Sequence, residues 1–180
     1  MIALDVSLMP LLAGKGLGLA TWVSLLGEPF AAIALLLAGL LTAYGRSGLR
    51  LHIKPLVLSA LALLFLVQGL KRSIDRPRPA AQIAALRQLP AGHLRQHAFP
   101  SGHTAFAAFV GGVLALSPLA PPLRLVAVLM ALGVAWSRVA LGAHWPSDVL
   151  VGLMLGFILA LGAMRRQSGG AEEGENREMS

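Results

Sequence analysis

The sequence predicts an all-α protein: a polytopic membrane bundle of five to six transmembrane helices, with its polar motifs at helix ends on one side of the membrane. Three observations carry this. Hydrophobic residues make up 56% of the 180 positions and charged residues only 13%, whereas about a quarter of a soluble domain is charged. Mean hydropathy is +0.73. The apolar residues also collect into runs that approach the ~20 needed to cross a hydrocarbon core.

Taken in order, Leu8 to Leu26 is interrupted by Lys15 and several glycines. It reads as either a thin span or a helix lying in the interface. Pro29 to Tyr44 and Pro55 to Leu70 are Ala/Leu-rich spans. Thr104 to Leu116 is shorter and reaches spanning length with the polar residues at its start. Leu123 to Leu141 and Pro146 to Met164 complete the set. Gly45-Arg46-Ser47-Gly48 reads as a turn, and Ser117-Pro118 with Pro121-Pro122 as a tight helix–helix connection. The longest polar insertion is Lys71 to Phe99. Its middle, Ala80 to Leu89, fits a short surface helix or a solvated loop equally well. Residues 1–166 form the membrane domain, and the Gly/Glu-rich stretch 167–180 is expected to be a disordered cytoplasmic tail. Asp5 precedes any apolar run and no basic segment comes before it, so the first span is expected to act as an uncleaved insertion signal.

Composition excludes several chemistries. Without cysteine there are no disulfides, thiolate nucleophiles or Cys-ligated metals. The net charge of +7 invites a nucleic-acid partner, but much of the charge sits beside apolar spans rather than on a soluble face. It fits anionic phosphates and lipid headgroups better. No His-Glu-x-x-His or Asp-rich metal cluster occurs.

Three polar clusters stand at the edges of the apolar runs. They are Lys71 to Pro79, Pro100-Ser101-Gly102-His103, and Ser137-Arg138 with His144 and Asp148. Ionisable groups are costly at a membrane boundary and usually serve a function there. Successive crossings put all three on one side of the bilayer, whether or not the first run spans. The residue types suit gripping a phosphate and cleaving its ester. His144 is the candidate nucleophile, able to form a phosphohistidine if a partner fixes its tautomer. Asp148, expected in the first turn of the last helix, is the candidate partner. Ser101, Gly102 and the amides of a helix start form a phosphate cradle, and His103 is the general acid. Lys71, Arg78 and Arg138 form a cationic clamp. Asp75 and Arg76 read as a local pair or as headgroup contacts, and His93 and His97 as solvent-exposed residues without a role.

With these residues the chain resembles the type 2 phosphatidic acid phosphatases, a family related to class A acid phosphatases and vanadium haloperoxidases. That family's signature has three parts: Lys-x6-Arg-Pro, Pro-Ser-Gly-His and Ser-Arg-x5-His-x3-Asp. Here they are Lys71…Arg78-Pro79, Pro100-Ser101-Gly102-His103 and Ser137-Arg138…His144…Asp148, complete and in order. The motifs cover residues 71–148; the earlier spans match only in hydrophobic character. The resemblance implies a helical-bundle hydrolase that works through a phosphohistidine and needs no metal or other cofactor. It implies a lipid phosphate as substrate: phosphatidic acid, phosphatidylglycerophosphate, undecaprenyl diphosphate or the phosphates of lipid A. It also implies a place in the bacterial inner membrane with the site facing the periplasm or exterior.

Two other readings compete. A lipid phosphotransferase would pass the phosphoryl group to a second lipid. A transport or lipid-binding protein would carry polar, broken helices at mid-membrane, whereas the polar residues here gather at span ends. Charge counting leaves orientation balanced, with seven basic residues on each face (Arg46, Arg50, Lys54, Arg124, Arg165, Arg166 and Arg177 opposite the clusters). Setting aside Lys71, Arg78 and Arg138 for substrate tips the balance to seven against four, which turns the clusters outward.

Overall fold

The computed structural model describes residues 2–47 and 52–178. Among these, α1 (Ile2–Leu12), α2 (Leu17–Leu25), α3 (Pro29–Ser47) and α4 (Ile53–Ser73) lead into the polar insertion. The insertion holds a short α5 (Pro79–Gln82) and a 3-10 turn (Ala84–Gln88). It is followed by α6 (Gly102–Leu116), α7 (Pro121–Ala140) and α8 (Pro146–Glu178). No strand occurs among the described residues.

Helix α6 is the axis of the bundle. Its residues from Thr104 to Leu114 are almost all buried, as expected of a helix that is apolar around its whole circumference. It packs chiefly against α8 and α7, and also against α3 and α4. Phe109, Val110 and Val113 of α6 join Leu63 and Val67 of α4 and Ala160 of α8 in the main core. The outer faces of α4, α7 and α8 leave Phe65, Leu125, Leu129, Met154 and Ile158 exposed. An apolar surface of that extent belongs against lipid. Helices Ile53–Ser73, Pro121–Ala140 and the Pro146–Gln167 part of α8 are long and apolar enough to cross a membrane, while Ala31–Gly45 and Gly102–Leu116 are apolar but shorter.

The structure departs from the sequence reading at three places. Leu8 to Leu26 is not one straight segment, because α1 and α2 meet at 108°. Gly14 (φ 80°) and Gly16 (φ 61°) flank Lys15 at the bend in left-handed conformations open to glycine. Helix α3 runs through Gly45 to Ser47, where a turn was expected, and Gly48 and Arg50 lie outside the described residues. Helix α8 continues to Glu178, over most of the 167–180 stretch expected to be disordered. Propagating an existing helix costs far less than nucleating one, and Ala, Glu, Gln and Arg offset the glycines at 169, 170 and 174.

The α6–α8 contact depends on missing side chains. A Cβ on Gly156 would lie 2.1 Å from the Ala105 carbonyl oxygen and 2.8 Å from the Ala108 Cβ. Gly156→Ala must push the two helices apart, at about 1–3 kcal/mol for overpacking. Thermal unfolding in detergent is expected to show a clearly lowered midpoint; an unchanged midpoint would contradict this packing.

Candidate active site

The third motif is built by a helix end that folds back on itself. Gly142, at φ 72°, lets the chain reverse after α7. The Gly142 N–H donates to the Val139 carbonyl (3.0 Å) and the Ala143 N–H to the Arg138 carbonyl (3.0 Å). This pair of bonds defines a Schellman cap. The His144 N–H also donates to the Arg138 carbonyl (3.2 Å), so the Arg138 backbone fixes the start of the His144 turn. Pro146 then opens α8, and Asp148 in its first turn accepts the Trp145 N–H (2.9 Å). The spacing of Arg138, His144 and Asp148 is therefore the spacing of one capped helix end and the next helix start.

The insertion closes over that turn. The Arg78 N–H donates to the Arg95 carbonyl (2.9 Å) and the Ala98 N–H to the Arg76 carbonyl (2.9 Å), tying residues 76–78 to residues 95–98. This pairing brings the Ala98 carbonyl to His144. His144 is buried, and its Nδ1 lies 2.6 Å from that oxygen. A carbonyl only accepts, so Nδ1 carries the proton and Nε2 keeps a free lone pair.

Asp148 was expected to perform this task. Its carboxylate stands 3.9 Å from Nδ1, beyond hydrogen-bonding reach. It is held instead by the Trp145 N–H and the guanidinium of Arg76. The acid bonds back to its own helix start, while the ring takes the acceptor that the insertion presents. Burial above all, and then the positive charges of Arg78, Arg138 and Lys71, hold the His144 pKa well below the ordinary histidine value; the Ala98 carbonyl acts in the opposite direction. His144 is thus a buried, neutral imidazole facing three cations.

Those cations are themselves anchored. The Lys71 ammonium donates to the His97 carbonyl (2.9 Å). Arg78 donates to the carbonyls of Gln96 (2.8 Å) and Ala143 (3.0 Å). Burial lowers its pKa, with Asp148 opposing, yet a guanidinium remains charged. Arg138 donates to the Ser24 hydroxyl (2.5 Å), and its buried Nε has no hydrogen-bond partner among the described residues. Lys71 also stands beside the α6 start, where a Cβ on Gly102 would meet its Cε at 4.0 Å. Ser101 precedes α6 without a side-chain cap bond to the helix. Its hydroxyl, read from sequence as a phosphate donor, is fully buried and shares a 2.9 Å hydrogen bond with Thr104. The Ser101 N–H donates to the Asp148 carbonyl (3.1 Å), which fastens the second motif to the third.

The sequence reading gave no place in the site to Asp5, Ser24, Glu28 or the Ala98 carbonyl, and it left the role of Arg76 open. Asp5 of α1 is buried. It receives Arg76 (2.6 Å), the Ser147 N–H (3.0 Å) and the Ser147 hydroxyl (2.5 Å). An acid set just ahead of the first apolar run was its signal. Arg76, left open as a partner of Asp75, pairs with Asp5 and Asp148 and lies 5.6 Å from the centroid of the Trp145 ring. Asp75 instead faces His97 at 3.3 Å on the surface. Ser24 gave no signal, and the Ala98 carbonyl is a backbone atom. Glu28, at the edge of an apolar run before Pro29, lies 2.9 Å from His103 Nε2. Among the described residues, no group of three or more His, Asp or Glu is placed to hold a metal.

The Asp5 network makes a testable demand. Asp5→Ala leaves the Ser147 N–H and one arm of Arg76 without their acceptor, at about 1–3 kcal/mol. A lowered unfolding midpoint in detergent is expected, and an unaltered one would contradict the arrangement.

The sequence model of the PAP2 superfamily matches residues 52–169. A lipid A 1-phosphatase of Rhizobium etli is 38% identical over 91 residues, covering 48% of this chain and 38% of that protein. The phosphatidylglycerophosphatase B of Escherichia coli K12 is 40% identical over 89 residues, covering 43% and 34%. The chain thus spans little more than a third of the length of these curated relatives. Among solved structures, Aquifex aeolicus LpxE superposes with a TM-score of 0.73 at 25% identity, over 90% of this chain and 95% of that one. A transmembrane PAP2-type phosphatidylglycerolphosphate phosphatase from Bacillus subtilis gives a TM-score of 0.71 at 24% identity, over 93% and 86%, a likeness of fold. The match to residues 52–169 takes in all three polar motifs and well over half of the sequence, and on it the chain belongs to the PAP2 superfamily.

Proposed function

We propose that this protein is an integral membrane lipid phosphatase that works through a phosphohistidine on His144. The observation that carries the reading is the state of His144: Nδ1 spends its proton on the Ala98 carbonyl, and the neutral ring faces Lys71, Arg78 and Arg138. A free Nε2 beside a cationic clamp is what in-line attack on a phosphate ester requires.

In the first step the Nε2 lone pair forms a bond to phosphorus as the P–O ester bond breaks. His103 gives a proton to the leaving oxygen. Lys71, Arg78, Arg138 and the first-turn N–H groups of α6 balance charge on the equatorial oxygens. Asp148 acts at one remove, its negative charge 3.9 Å from Nδ1 offsetting the charge that develops on the ring. Water then attacks the phosphohistidine, His103 takes its proton, and inorganic phosphate leaves.

The substrate class rests on three supports. The candidate residues lie at the ends of helices whose outer faces expose large apolar side chains. The relatives named above act on lipid A and on phosphatidylglycerophosphate. The clamp is made for a phosphate monoester or diphosphate. We place the site on the periplasmic or exterior side of the inner membrane, because the clamp cations serve the substrate and the remaining basic residues favour the opposite, cytoplasmic face.

The deciding assay is phosphate release in detergent micelles from phosphatidic acid, phosphatidylglycerophosphate, undecaprenyl diphosphate and lipid A. Release from at least one, undiminished by EDTA and abolished in a folded His144→Ala variant, is expected. Wild-type turnover in that variant would sink the mechanism. Protonation silences the nucleophile, and the His144 pKa is depressed. The acid limb of its kcat/KM profile is therefore expected below the ordinary histidine value of 6.5. An acid limb assigned to His144 above that value would contradict the burial described.

A further inference from the structure

We infer that Glu28 is a positioning residue for the proton donor: it holds the proton on His103 Nε2, so that Nδ1 is the atom that exchanges a proton with substrate. The inference rests on the phosphatase reading above. Glu28 lies in the turn between α2 and α3, outside the stretch matched by the family. Its carboxylate stands 2.9 Å from His103 Nε2. A carboxylate only accepts, so Nε2 must be the donor.

Two further observations support a built contact. Gly27 brings the turn close to the donor: a Cβ there would stand 3.2 Å from the His103 Cβ and 2.7 Å from Val134. The turn can lie against the α6 start only because position 27 has no side chain. The charges around the ring also leave one task open. Lys71 of α4 and Arg138 of α7 face His103 as cations, and Glu28 is the anion that faces it. Burial first, and then the two neighbouring cations, disfavour an imidazolium at His103, and the adjacent carboxylate works against them. An acid catalyst must carry its proton when substrate arrives, and Glu28 is the group in contact with the ring that favours this.

The proton balance is simple. As the P–O bond breaks, the Nδ1 proton moves to the leaving oxygen. The ring is left neutral, with its Nε2–H still on Glu28. When water attacks the phosphohistidine, Nδ1 takes up the proton that water loses. The charge of Glu28 never changes, so it acts through His103 and not on the substrate.

The test uses the full chain in detergent micelles as wild type, Glu28→Gln and Glu28→Asp. NMR of nitrogen-15-labelled histidine follows His103 across pH and needs no turnover. Loss of the carboxylate in Glu28→Gln is expected to move the His103 titration down by about one unit or more, with recovery in Glu28→Asp. Kinetics supply the second readout. Dihexanoyl phosphatidic acid has an alkyl leaving oxygen that needs a proton; p-nitrophenyl phosphate has one that scarcely does. Glu28→Gln is expected to lower kcat/KM at least about tenfold on the first and less than about threefold on the second, since general acid catalysis is worth 10²–10⁴. The alkaline limb for the alkyl ester is expected to move to lower pH. An unmoved His103 titration would overturn the inference, and so would equal losses on the two esters. If the wild type releases phosphate from neither ester, that counts against the phosphatase reading, while the titration still decides Glu28.

Discussion

Arg76 holds the site together. Its guanidinium bridges Asp5 of α1 and Asp148 of α8 and has its central carbon over the Trp145 ring, and its carbonyl receives the Ala98 N–H. The chain before the bundle, the insertion and the last helix all meet on this one side chain. Burying charge in an apolar bundle costs several kcal/mol per ion unless each is paired and hydrogen-bonded. Here the cost is met by mutual satisfaction. Asp5 takes the free N–H of Ser147 and its hydroxyl as well as Arg76, and Asp148 takes the N–H of Trp145. Once Asp148 is committed in this way, His144 must find another acceptor, and the insertion supplies the Ala98 carbonyl.

The same economy shapes the cationic side. Lys71 and Arg78 spend donors on backbone carbonyls of residues 96, 97 and 143, which fixes their heads without adding negative charge. Carbonyl partners leave the positive field intact. Burial above all, and then that field, disfavours protonation of His144. The proposed attack on a phosphate by an uncharged base needs both conditions, and a carboxylate against each cation would have removed the first. Placing the anions one layer back, at Asp5 and Asp148, reconciles a stable bundle with a basic face around His144.

Much of this was legible in the sequence. Composition and run length identified a helical membrane protein, and the motif ends of α4, α6, α7 and α8 do converge on one side. The residues Lys71, Arg78, His103, Arg138, His144 and Asp148 became candidates because polar groups are conspicuous in apolar surroundings, and they remain candidates. What stayed hidden had physical reasons. The Ala98 carbonyl has no side-chain signature. Ser24 is a small hydroxyl, equally at home as helix filler. The 108° bend between α1 and α2 turns a weak apolar run into two short helices that carry Asp5 and Ser24 to the site, and no local pattern encodes that approach. The Ser101 hydroxyl, an obvious phosphate donor on paper, is drawn inward to Thr104 by proximity across one helical turn.

The most direct test of the account is to catch the phosphorylated enzyme. Protein incubated briefly with phosphatidic acid or phosphatidylglycerophosphate, quenched in alkali and mapped by mass spectrometry should carry phosphate on His144. Because Nδ1 is committed to the Ala98 carbonyl, the adduct should be the Nε2 isomer. Phosphate on a different residue, or on His144 Nδ1, would contradict the account.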